Sequence, residues 1–134
     1  MRTTQGPSRV SVLEIAPGPG VEVFRIVRSG NTNDPAFLNS LRSHYELSKE
    51  PRRVERRWTV MHMGISAYWT SERASETALT WPKLGDYIAR LQLHPSMGFN
   101  YAHTGHAGHL TLWGDPVKLC DVATDVEIVS RWKS

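Results

Sequence analysis

Residues 62–76, with the sequence HMGISAYWTSERASE, place an aromatic run, hydroxyl groups and carboxylates within a short stretch of chain. The apolar run ends at Thr70 and Ser71, residue types that favour the N-cap of a helix, and glutamates follow them. This order predicts a buried strand that leads into a helix. Tyr68 would then lie at the junction, close to the hydroxyl and carboxylate groups.

An arginine-bearing strand is predicted upstream, where Arg25 and Arg28 occur within the sequence FRIVR. With a period of two, Arg25 shares a face with valines, and a partly buried guanidinium needs a carboxylate or an anionic ligand as its partner. A slip of one residue in register would turn Arg28 to that face instead. An arginine, an aromatic ring and a carboxylate on neighbouring strands suit a phosphate, a flat base and a ribose. The grouping therefore indicates nucleotide chemistry.

Two interpretations of the junction follow from these residues. In the functional one, Tyr68 stacks on a ring while Glu72 or Glu76 acts as an acid, a base or a ribose clamp. In the structural one, Tyr68 and Trp69 belong to the core, the Thr70-Ser71 pair caps the helix, and the two glutamates interact favourably with the positive helix N-terminus. The residue pattern by itself favours the structural interpretation.

The order of these residues resembles the ADP-ribosyltransferase-like fold, nearest to its RES-domain NAD-degrading branch. The resemblance covers roughly residues 21–93 and consists of an early-strand arginine, an aromatic strand entering Thr-Ser, and a glutamate-bearing helix. It implies NAD as the substrate and Arg25, Tyr68 and Glu76 as catalytic residues. Around these we expect the nucleotide-binding residues Arg28, Ser66, Thr70, Glu72 and His109.

The chemistry that the resemblance implies is scission of the nicotinamide–ribose bond of NAD. A carboxylate would stabilise the oxocarbenium-like ribose, and the arginine would hold the phosphates through charge-assisted hydrogen bonds. Tyr68 would stack on the nicotinamide ring. We expect nicotinamide release that Glu76→Gln abolishes.

A basic cluster supports an alternative function, because four arginines lie within six residues of the chain. The cluster could meet the phosphates of a nucleic acid or another acidic partner, which would make the protein a non-catalytic binding module. A solvated basic loop explains the same residues. The cluster consists of Arg52, Arg53, Arg56 and Arg57.

Three histidines in the sequence HTGHAGH support a second alternative, a metal-dependent hydrolase. A loop could fold His103, His106 and His109 around zinc with one position open for water. The spacing matches no strong zinc signature and the intervening glycines disfavour a helix, so we assign no metal ligand. His109 begins a predicted strand and suits acid–base work, since the pKa of an unperturbed imidazole lies near neutrality.

The composition indicates one soluble domain that can position these residues. The chain has 134 residues, of which 40% are hydrophobic and 22% charged, and its formal net charge is +3. These values are typical of a globular protein. No apolar run is long enough to cross a bilayer and no secretory signal is present, so we expect a cytoplasmic protein without membrane partners. Cys120 is the only cysteine, which excludes an internal disulfide.

The elements that must position the site are predicted from apolar periodicity and turn residues. We expect a flexible segment over residues 1–9, followed by a single α+β domain over residues 10–134 with mainly antiparallel strands and two or three short helices. Two Pro-Gly pairs over residues 16–20 predict a hairpin between the first two strands. The predicted strands cover residues 10–15, 21–28, 58–63, 65–69, 86–93, 99–101, 109–113 and 126–129. The predicted helices run from Pro35 to about Leu47 and from Glu72 to about Trp81, and a short third helix begins at Pro116. Asp34 and Asp115 are the predicted caps of the first and the third helix.

Overall fold

The computed structural model describes residues 13–14, 21–43, 46–47, 64–105 and 107–129. These residues form an α+β domain in which one sheet carries short helices on both faces. The strands are β1 (Leu13–Glu14), β2 (Val21–Val27), β3 (Ile65–Tyr68), β4 (Tyr87–Leu93), β5 (Asn100–His103), β6 (His109–Trp113) and β7 (Ala123–Ile128). The α-helices are α1 (Pro35–Ser40), α2 (Ser71–Thr80) and α3 (Pro116–Asp121), and 3-10 turns cover Pro82–Leu84 and Pro95–Met97.

The described strands form one seven-stranded sheet in the order β1-β5-β6-β3-β2-β4-β7. Every pairing between neighbours is antiparallel. The mainly antiparallel α+β class predicted from the sequence is therefore confirmed. No described helix is long and apolar enough to cross a membrane.

The predicted hairpin between the first two strands is wrong. Leu13 of β1 pairs with Tyr101 of β5 at one edge of the sheet, while β2 lies in the interior between β3 and β4. Proline and glycine indicate that the chain leaves a strand, but they carry no information about the partner that this strand will choose. That choice depends on long-range pairing, which occupies both sides of β2 with later parts of the chain.

Both faces of the central strands are buried because helices cover each side of the sheet. On one face, valines of β2 and the alternating apolar residues of β4 pack with Phe37 of α1 and Leu119 of α3. On the other face, Phe24 and Ile26 of β2 pack with Ala74 and Ala78 of α2. Small alanines let α2 approach the sheet closely. The residues of β2 therefore belong alternately to two cores, and Arg25 lies on the valine-bearing face.

α1 and α3 begin at their predicted residues, and α2 begins at Ser71, one residue before the predicted Glu72. The side chain of Asp34 accepts a hydrogen bond from Ala36 N, that of Thr70 from Arg73 N, and that of Asp115 from Val117 N. The helix predicted to run to about Leu47 instead ends at Ser40. Its apolar stripe continues past this point, so periodicity alone overestimates its length.

Candidate functional site

A cleft of about 190 Å³ opens along the seam between β2 and β3. Within the described residues the two strands pair in register only at Phe24 and Tyr68. Beyond this pair, the end of β2 and the start of β3 form no further backbone pairs within the described residues. Side chains line the space between them. The described lining comprises Arg25, Ile26, Arg28, Asn39, Ser40, Arg42, Ser43, Leu47, Gly64, Ile65, Ser66, Tyr68 and Leu84.

Arg25 connects three elements at the base of this cleft. Its Nε donates to the carbonyl oxygen of Ser40 at 2.9 Å, and its Nη1 donates to the carbonyl oxygen of Ser66 at 2.7 Å. In this way the side chain on β2 joins the end of α1 to β3. The predicted position of Arg25 on the valine-bearing face is confirmed, and these two backbone carbonyl oxygens are among its partners. The fold itself thus supplies acceptors for this half-buried guanidinium.

Ser40 organises the same corner through both its backbone and its side chain. Its hydroxyl donates to the carbonyl oxygen of Ala36 at 2.8 Å and accepts from the backbone N–H of Arg28 at 3.0 Å. Ser40 is 8% exposed, so these contacts are shielded from water. They hold the backbone that carries Arg28 against the end of α1.

Arg42 is a lining residue that the sequence reasoning missed. It lies two residues beyond α1, and its Nε is buried without a hydrogen-bond partner in the structure. A buried donor without an acceptor costs about 1–3 kcal/mol. The only sequence signal was a basic residue within a predicted amphipathic helix, which is common on any protein surface.

The described lining of the cleft is positively charged. It contains three arginines, Arg25, Arg28 and Arg42, and no aspartate or glutamate. Within the described residues neither Arg28 nor Arg42 forms an ion pair. Like charges gathered around one concave space raise the local potential and favour an anionic occupant.

Tyr68 and Ser66 lie at the cleft, as does Gly64 at the start of the same strand. The Tyr68 side chain is only 7% exposed, and its ring meets that of His109 edge-on with centroids 5.3 Å apart. Tyr68 also belongs to the apolar cluster beneath α2. The ring is therefore largely a core group, with little surface left for stacking on a ligand.

The acidic residues predicted for the site lie outside the cleft lining. Glu76 is exposed on α2 and pairs with Arg73 at 3.4 Å, one turn earlier on the same helix. Glu72 is exposed in the first turn of α2, and Thr70 caps that helix. The structure thus brings together the predicted Arg25, Arg28, Ser66 and Tyr68, and does not bring Glu72, Glu76 or Thr70 to the same cleft.

The described histidines of the HTGHAGH segment lie on opposite faces of the sheet. His103 packs with Trp69 and Tyr101, at ring separations of 5.5 and 5.7 Å, whereas His109 contacts Tyr68 on the other face. The Nδ1 of His109 lies 2.8 Å from the carbonyl oxygen of Thr104, an acceptor, which requires the proton on Nδ1. His109 does not line the cleft. Among the described residues no group of three or more histidine, cysteine, aspartate or glutamate side chains could hold a metal ion.

Four predicted features fall outside the part of the chain that the structure describes. These are the flexible segment over residues 1–9, the strand over residues 58–63, the basic cluster Arg52, Arg53, Arg56 and Arg57, and the middle histidine of the glycine-rich segment, His106. The interpretation of the basic cluster as a partner-binding surface stays a prediction from sequence.

Comparison of the chain with family models, curated proteins and solved structures found no match. The resemblance to the ADP-ribosyltransferase-like fold stays a prediction from the residues that carry it. The proposed function is therefore based on the lining and the charge of the cleft.

Proposed function

We propose that this protein binds a phosphorylated small molecule of the nucleotide class in the cleft between β2 and β3. The observation that carries the proposal is the convergence of Arg25, Arg28 and Arg42 on one concave space whose described lining has no carboxylate. Guanidiniums are suited to phosphate because their planar N–H groups match two phosphate oxygens at once.

The remainder of the lining suits the uncharged part of such a molecule. Ile26, Ile65 and Leu84 contribute apolar surface beside the arginines, and Leu84 is 41% exposed. Ligand sites commonly combine apolar walls with a few polar groups that fix orientation. A phosphate among the arginines and a nucleoside against these side chains would use both parts of the lining.

The proposal concerns binding, and it assigns no role to Glu76. Cleavage of the nicotinamide–ribose bond would require a carboxylate near the ribose. Glu76 instead pairs with Arg73 on the exposed side of α2. Nicotinamide release from NAD remains a proposal that the resemblance suggests, and an assay for free nicotinamide would decide it.

The binding proposal is tested by isothermal titration calorimetry with adenosine 5′-monophosphate (AMP) and with NAD. We expect at least one of the two to bind, and Arg42→Gln to weaken its binding by about tenfold or more, since hydrogen bonds to charged groups contribute about 1.5–3 kcal/mol. Arg73→Gln is the matched control, because Arg73 lies outside the cleft lining. Glu76→Gln should likewise leave the affinity unchanged. Absence of binding by both nucleotides, or equal loss in the Arg42 and Arg73 variants, would contradict the proposal.

A further inference from the structure

We infer that the cleft selects a terminal phosphate monoester over the internal diphosphate of a dinucleotide such as NAD. The inference rests on the proposed function, because it specifies which phosphorylated group the arginines recognise. It departs from the substrate that the sequence resemblance implies.

The small volume of the cleft favours a monoester over a dinucleotide. The cleft volume is about 190 Å³, whereas pockets that enclose a drug-sized ligand usually measure roughly 300–1,000 Å³. A space of this volume admits one phosphate and part of its substituent. A dinucleotide would leave most of its surface outside, because the cleft has no room for both of the nucleosides that its diphosphate joins.

The positive charge of the cleft lining also favours a monoester. The lining includes three arginines from two parts of the fold: Arg25 within β2 and Arg28 directly after it, and Arg42 two residues beyond α1. A monoester carries a charge of about −1.5 to −2 at neutral pH and presents three terminal oxygens. Each phosphate of an internal diphosphate carries one charge and presents only two terminal oxygens. The monoester therefore matches the number and arrangement of the cationic groups better.

The three arginines differ in which of their N–H groups can still donate to a ligand. Arg25 already uses Nε and Nη1 on the carbonyl oxygens of Ser40 and Ser66, so it positions the cleft and adds charge. Arg28 is exposed and free of ion pairs within the described chain, and Arg42 retains a buried Nε without an acceptor. We assign oxygen contacts mainly to Arg28 and Arg42. A phosphate beside Arg42 would supply the missing acceptor after a small shift of the side chain.

The inference predicts a specific pH dependence. The second ionisation of a phosphate monoester has a pKa of about 6, while guanidinium stays charged at all accessible pH values. The affinity for a monoester should therefore rise between pH 5 and pH 7.5 as the ligand gains its second charge. The described titratable groups at or beside the lining are Arg25, Arg28 and Tyr68 from β2 and β3, Arg42 and Glu46 from the segment after α1, and Lys83 from the turn before Leu84.

The experiment compares AMP with its 5′-methyl ester, which keeps the nucleoside and one negative charge but has no second ionisation. Titrations at pH 5 and pH 7.5 should show AMP binding at least fivefold tighter than the ester at pH 7.5, with the difference shrinking at pH 5. Titration of the protein itself shifts the affinities for both ligands in the same direction, so the ester is an internal control for it. Arg42→Gln should reduce the preference for AMP, whereas Arg73→Gln should not.

The outcomes separate this inference from the proposed function. Equal affinities for AMP, its methyl ester and NAD at both pH values would overturn the preference for a monoester and leave nucleotide binding intact. Tighter binding of NAD than of AMP would do the same. No binding of any of the three would overturn the proposed function together with the inference.

Discussion

At the scale of single residues, the three arginines of the cleft have different roles although their side chains are identical. Arg25 donates to two carbonyl oxygens of the fold, Arg28 is exposed at the end of β2, and Arg42 keeps a buried nitrogen without an acceptor. The role of a guanidinium thus depends on which acceptors the fold has already supplied. Arg28 and Arg42 are the residues whose replacement should affect a ligand most directly.

Cys120 allows a test of the single thiol. Partial burial and the neighbouring Asp121 both raise the pKa of this thiol, burial having the larger effect. Since the thiolate is the reactive form, we expect slow alkylation at neutral pH. The rate of reaction with iodoacetamide should reach half of its maximum at a higher pH than for a free cysteine.

The variant Asp121→Asn provides the control for the alkylation measurement. Removal of the neighbouring negative charge makes ionisation of the thiol easier, so the midpoint should move to lower pH while staying above that of free cysteine. A midpoint at or below the value for free cysteine in the unaltered protein would contradict the prediction.

At the scale of elements, local sequence signals predicted most helices and strands well. β6 has its predicted bounds, β4 begins one residue later than expected, and α2 begins one residue earlier than expected. In these segments the alternating apolar pattern lies within the element, or the capping side chain directly before it. α1 and β7 differ more from their predictions: α1 ends at Ser40 rather than at about Leu47, and β7 begins at Ala123 rather than at residue 126. The ends of these elements depend on packing rather than on the apolar pattern alone.

The cap of α2 yields a stability prediction. Thr70→Ala removes the side-chain acceptor of the Arg73 N–H, a hydrogen bond of 3.1 Å, and should lower the free energy of unfolding by about 1 kcal/mol. Thr80→Ala is the matched control, since the Thr80 hydroxyl only returns to the carbonyl oxygen of Glu76 and alanine has a higher helix propensity. Urea denaturation of both variants measures the difference. Equal or greater loss in the Thr80 variant would contradict the assigned cap.

At the scale of the whole molecule, the side chain of Arg25 connects three elements of the fold. It joins β2 to α1 and to β3 at the place where the two strands separate. Arg25→Met keeps much of the side-chain length but leaves the carbonyl oxygens of Ser40 and Ser66 without this donor. We expect a loss of about 1–3 kcal/mol in the free energy of unfolding.

Arg90→Met is the control for this comparison. Arg90 is also a half-exposed arginine on a central strand, but it pairs with Glu22 at 3.7 Å and lies over the ring of Phe24. A partly exposed pair of this kind contributes roughly 1 kcal/mol or less. If urea denaturation gave the Arg25 variant no larger loss than the Arg90 variant, the connecting role of Arg25 would be wrong.

The sequence by itself determined the α+β class and the caps of the helices, since each depends on nearby residues. It predicted Arg25 on the face of the valines only for one register of the strand, because a slip of one residue would place Arg28 there instead. Only the tertiary structure decided that β1 pairs with β5, that Arg42 joins Arg25 and Arg28 at one cleft, and that Glu76 stays outside it. The physical reason is the separation along the chain of the residues that determine each feature. Caps and alternating faces arise from neighbours along the chain, whereas a strand's partner and the walls of a cleft arise from segments that meet only when the sheet closes over its two cores.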